Sequence, residues 1–270
     1  MLANGEQKIF IWIDFTPETE VAILHGVQVA LILEKEVCLI HHPGKAGKMM
    51  EEAESRLLAM TVPVAEILGK ERVHYYFAVN PLDALLTELA EEYDTLTLVA
   101  HKKNAGELLP HLAHSGFPFL FVSSVEDPDK NYQRIAVPVG YMKKCKDLAL
   151  WSSYFGRHNG ARITLVKSKE SFEEDNRVVM SNLSSITRLF RNFNFPFEIE
   201  ETSKSSWKIQ KTALEHAQGF QNGLLIISFT HRSTFADRLF KLDDAYVIGH
   251  SENLSVMCIN SQRDLYTLCG

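Results

Sequence analysis

The stretch RIAVPVGYMKKCKDLALWSSYFGRHNGARITLVKS (134–168) lies under KIFIWIDFTPETEVAILHGVQVALILEKEVCLIHH (8–42) without a gap, 126 residues further on. Ile9, Ile11 and Ile13 fall over Ile135, Val137 and Val139, and Val37, Leu39 and Ile40 fall over Ile163, Leu165 and Val166. Identities are few, but the apolar runs stay in register, which implies a chain built twice from one structural unit. Both copies continue alike. A charged helical segment (46–68, then 172–194) leads to a short strand (73–79, then 197–201) and a helix. A further strand (95–101, then 223–229), a short helix and a final strand (118–123, then 254–260) follow. Strands that alternate with helices and are apolar on both faces predict a parallel sheet covered on each side. The expected architecture is two α/β domains, 1–127 and 128–270, joined near the acidic, Pro-containing SVEDPDKNY (124–132).

Local chemistry supports a helix directly after the first strand. Thr16 is suited to cap it, Pro17 to open it, and Glu18 and Glu20 to meet the positive end of its dipole. The comparable turn of the second copy carries Lys143, Lys144 and Lys146, either a solvated face or a hold on an anion. A net charge of −6 gives no general attraction for nucleic acid. No run reaches the ~18 uncharged apolar residues that span a bilayer, and MLANGEQK lacks the build of a signal peptide. A cytoplasmic protein is expected, without nucleic-acid or membrane contacts. The four cysteines, Cys38, Cys145, Cys258 and Cys269, lack CxxC spacing and read as inert thiols.

The Ile-rich strand ending at Asp14, the Thr-Pro-Glu helix start and EVCLIHH together resemble the opening of a universal stress protein domain. The second copy is similar, so nearly the whole chain resembles a tandem universal stress protein. The resemblance implies an open five-stranded parallel sheet in each half, with strand order 3-2-1-4-5. Such a sheet is Rossmann-like and adenine nucleotide alpha hydrolase-like, with a crevice at the carboxyl ends of strands one and four. It implies further that Asp14 stands at this crevice, where ATP-binding members place an acid near adenine and ribose. Asp14 has a second reading, as a local acceptor for backbone amides of the turn that follows it.

ATP-binding members also carry glycines spaced G-x2-G-x9-G and then Ser or Thr after the fourth strand, so that backbone amides approach phosphates. This chain departs from that pattern in both halves. VAHKKNAGELLPHLAHSGFPFLFV holds only Gly106 and Gly116, and Phe229, Thr230, His231, Arg232 and Ser233 occupy the second site. Gly140 also stands where the first copy has Asp14. No cofactor is therefore expected, and ATP or another adenine nucleotide would need side-chain cations, Lys102, Lys103, His231 and Arg232, in place of amides. His41 and His101, at the ends of strands two and four, complete this ligand-binding set with Asp14. His42, His111 and His114 add nitrogen donors, but no ligand-spacing motif is present and no metal is expected.

Without a GxSxG elbow, a GxxxxGK[ST] loop or a GxGxxG fingerprint, no enzyme is expected. HYYF (74–77) and FPFLFV (117–122) read as buried or pairing strands. The resemblance implies self-association through the final strands, 118–123 and 254–260, as an internal pseudo-dimer or a homodimer. The functional expectation is a non-catalytic, cytoplasmic stress-response protein with a degenerate nucleotide crevice, acting through binding or contacts with an unidentified protein. The alternative is a sensor for a nucleotide or small anion that uses the crevice of the first half.

Overall fold

KIFIW forms β1 (Lys8–Trp12), and each of its residues is buried. A strand with no exposed face belongs in the middle of a covered sheet, and β1 lies between β2 (Glu36–His41) and β4 (Thr95–His101). The computed structural model describes residues 7–43, 50–123, 132–142, 145–230 and 243–260. The chain divides into two units, Met1–Val125 and Glu126–Gly270. In the first, β3 (Val73–Phe77) and β5 (Phe119–Val122) complete a parallel sheet of order β3-β2-β1-β4-β5. Its helices are α1 (Thr19–Leu33), α2 (Met50–Leu68), α3 (Leu82–Glu92) and the short α4 (Ala105–Leu108) and α5 (Leu112–Ser115).

The second unit repeats the plan. Its strands are β6 (Arg134–Val139), β7 (Arg162–Lys167), β8 (Phe197–Glu201), β9 (Leu224–Ser228) and β10 (Ser255–Ile259). They pair in parallel as β8-β7-β6-β9-β10, the same 3-2-1-4-5 order. Its helices are α6 (Cys145–Asn159), α7 (Glu173–Asn192), α8 (Ile209–Ala217) and α9 (Asp244–Gly249). The internal repeat is a repeat of structure. α1 and α6 are both 15 residues long, 126 positions apart, and Ile9 pairs with Val37 as Ile135 pairs with Ile163.

Close packing sets the position of α1. A Cβ at Gly26 would lie 2.3 Å from Ile11 Cδ1, so only glycine lets this helix approach β1 so closely. The start of β1 takes a charge inside. Lys8, 1% exposed, pairs with Glu36 at 2.8 Å, and His74 meets the same carboxylate at 2.9 Å. Three adjacent strands are thereby linked at their starts. Among the described residues no helix is long and apolar enough to cross a membrane.

The first helix begins later than the residue types suggested. α1 starts at Thr19, and Thr16 does not cap it. The Thr16 amide and hydroxyl are both donated to Asp14 instead, at 3.0 and 2.6 Å.

Candidate functional site

In an open sheet of this order, ligands sit where β1 and β4 send their connections to opposite faces. Asp14 follows β1 at that point and is taken up by its own chain. Its Oδ1 accepts from the Thr16 amide (3.0 Å), the Thr16 hydroxyl (2.6 Å) and the Thr19 hydroxyl (2.7 Å). Its Oδ2 accepts from Asn104 Nδ2 at 2.9 Å and lies 3.5 Å from Lys103 Nζ. Burial works to raise the Asp14 pKa, but the bonds from Thr16, Asn104 and Thr19 outweigh it and hold the carboxyl well below the ordinary aspartate range. Phe15, next in the chain, takes a left-handed φ of 57° and lets the turn fold back on Asp14.

Lys103 and Asn104 belong to the 3-10 turn Lys102–Asn104 that follows β4, so these contacts join the ends of β1 and β4 directly. Lys103 also donates to Thr16 Oγ1 and pairs with Glu18 Oε2 at 2.5 Å. Its charge is thus shared between two carboxylates of its own chain. Of the two lysines expected here, Lys103 reaches Asp14, while Lys102 occupies the first position of the same turn.

The histidines at the strand ends turn ring nitrogens to backbone carbonyls. His41 Nδ1 lies 2.7 Å from the Ile13 carbonyl, and its ring packs between Phe15 and Phe77. His42 turns the other way, to the Asn80 carbonyl at 2.9 Å and the Trp12 ring. His101 Nε2 lies 3.3 Å from the Ser123 carbonyl, and its Nδ1 accepts from the Lys103 amide. Burial holds both His41 and His101 below the ordinary histidine pKa. His111 pairs with Asp83 at 2.5 Å. Among the described residues no three His, Cys, Asp or Glu side chains are grouped to hold a metal.

At the matching point of the second unit stands Gly140. The strand-end amide is held as in the first copy. The Asp14 amide donates to Thr19 Oγ1 (3.3 Å), and the Gly140 amide donates to Cys145 Sγ (3.4 Å), each acceptor being the first residue of its helix. The space is filled from elsewhere. A Cβ at Gly140 would lie 2.5 Å from Ser206 Oγ. Ser206 donates its amide and hydroxyl to Glu170 Oε1 at 2.7 and 2.5 Å and accepts the Tyr141 amide at 2.9 Å. Beyond β9, buried Asp244 accepts from the amide of Thr230 at 2.7 Å and from Gln210 at 3.4 Å. Burial pushes its pKa up to about 6, against the hydrogen bonds from Thr230 and Gln210. His231, Arg232, Lys143, Lys144 and Cys269 lie outside the described residues. Cys38, Cys145 and Cys258 are unpaired and buried, and burial raises the pKa of each thiol.

Over 94% of its length the chain matches the crystal structure of a universal stress protein from Archaeoglobus fulgidus DSM 4304, with a TM-score of 0.66, 11% identity and 96% of that chain covered. The chain has the universal stress protein fold. A candidate universal stress protein from Pseudomonas aeruginosa UCBPP-PA14 matches over 95% of this chain and 94% of its own, with a TM-score of 0.57 and 12% identity. A functionally unknown protein from P. aeruginosa PAO1 gives 0.58 and 13%, with 95% and 93% covered. No protein-family model matches the sequence, and no curated protein matches it. Within this fold, Asn104 and Thr19 are the site residues that the sequence reading passed over. The only signal was the polar run HKKN directly after strand four, which ends in an amide able to reach a strand-end acid.

Proposed function

We propose that the chain is a tandem universal stress protein whose nucleotide crevices are closed by its own side chains, and that it works through protein contacts. It acts in the cytoplasm, as a non-catalytic stress-response protein without a bound cofactor. The observation that carries this reading is the state of Asp14, whose two oxygens already accept from Thr16, Thr19 and Asn104 and lie beside Lys103. A nucleotide that uses Asp14 has to displace such bonds. Losing a hydrogen bond to a charged group costs about 1.5–3 kcal/mol, or roughly 10- to 150-fold in affinity for the Asn104 bond alone. The backbone nest that would repay this loss is missing from HKKN and its sequel.

Self-association runs through the final strands, FLFV in β5 and SVMCI in β10, which carry no charge along their length. The net charge of −6 supports a role without nucleic acid. Native mass spectrometry of the freshly purified chain tests the reading. A mass without retained ligand, unaltered after incubation with ATP, is expected. A retained nucleotide would instead establish the sensor that uses Asp14 and Lys103.

A further inference from the structure

β3 is the outer strand of the first unit's sheet, paired with β2 on one side and with no strand on the other among the described residues. The Ala78 amide donates to the His41 carbonyl at 2.9 Å. Alternation along the ladder then turns the backbone groups of His74 and Tyr76 toward β2, and those of Val73, Tyr75 and Phe77 outward. No backbone partner for these outward groups stands among the described residues. A cleft of about 560 Å³ follows this edge, lined by all of β3 with Glu54 of α2 and Tyr93 from the end of α3.

The surroundings are acidic and aromatic. α2 exposes Glu51, Glu52 and Glu54, and α3 ends in exposed Glu91 and Glu92. Nearby cations are largely committed. Arg56 lies over the Phe15 ring, and Arg72 donates to the Ala30 and Lys35 carbonyls. The outer strand of the second sheet, β8 (FEIEE), carries Glu198, Glu200 and Glu201, charges that discourage strand addition. VHYYF has no Lys, Asp, Glu or Pro to serve that purpose. A second copy offering its own β3 or β8 would bring acid against acid.

We propose that the outer edge of β3 is a docking site for an extended, basic segment of a partner protein, added as a strand. Its backbone pairs with Val73, Tyr75 and Phe77, while Arg or Lys side chains meet the flanking glutamates and tyrosine rings. This surface rests on the reading of the chain as a protein-contact scaffold and gives that reading a location. The test uses the full chain and a synthetic ten-residue peptide that alternates arginine and valine. Two controls are the same peptide with glutamate for arginine, and one N-methylated at alternate residues. Fluorescence anisotropy reports binding, and hydrogen exchange reports its place.

The arginine peptide is expected to bind and to slow exchange at the amides of Val73, Tyr75 and Phe77. The glutamate peptide, N-methylation and the Glu54→Lys/Glu92→Lys variant are each expected to weaken binding at least about tenfold. Absence of binding, equal binding by the glutamate peptide, or binding that leaves these amides unprotected overturns the proposal. Charge reversal lies on exposed helix positions, so failure to fold does not confuse the result. Nucleotide binding would refute the closed crevice while leaving this edge unaffected, so the two claims fail separately.

Discussion

Asp14, just past the end of β1, and Asp244, the first residue of α9, sit in surroundings that move their protons in opposite directions. The native pKa of Asp14 lies below the unfolded value of 3.8, so its stabilising effect is complete above about pH 4 and is lost as the pH falls further. Asp14→Ala leaves the Thr16 amide and Asn104 without their acceptor. It is expected to cost about 1–3 kcal/mol at pH 7, a difference that shrinks below pH 4 in urea unfolding. A difference that holds constant down to pH 2 would contradict this assignment. Asp244 has the reverse sign. Between 3.8 and about 6 the folded chain holds a proton that the unfolded chain has released, so stability falls as the pH rises through this window. The loss is on the order of a few kcal/mol. Asp244→Asn, neutral throughout, is expected to gain on the wild type between pH 4 and pH 7, and an unchanged difference would remove the buried charge from the account. At this scale the sequence marked Asp14 as an acid closing an apolar run. It could not show Asn104 as its partner, because that contact spans 90 residues and depends on β1 and β4 lying side by side.

Elements were the most legible part of the chain. β4 and β8 begin and end where the residue pattern placed them, because period and composition act over neighbouring residues. The start of α1 was misread for a physical reason. Thr-Pro-Glu has the composition of a cap, but the Thr16 hydroxyl is turned to Asp14 and its oxygen accepts from Lys103 instead of a helix amide, and the helix starts at Thr19. Packing of α1 on β1 gives a prediction at this scale. Gly26→Ala drives a methyl against Ile11 and is expected to destabilise by about 1–3 kcal/mol in chemical denaturation. Ile11→Val, which removes Cδ1, is expected to restore part of that loss. Full additivity of the two substitutions would mean that the helix and strand do not share this contact.

For the whole molecule, the duplication was readable as two copies of one parallel-sheet plan, and the structure repeats it strand for strand. How the two switch points are filled was not readable. The first is tied by side chains from the turn after β4, and the second is filled by Ser206 from beyond β8, both set by tertiary approach. The central proposal is that the fold is kept while the chain's own side chains close its nucleotide crevices. Isothermal titration of the full chain with ATP tests it most directly. No saturable heat is expected up to about 1 mM nucleotide. A one-to-one isotherm that vanishes in Asp14→Ala would contradict it and make the first crevice a working nucleotide site.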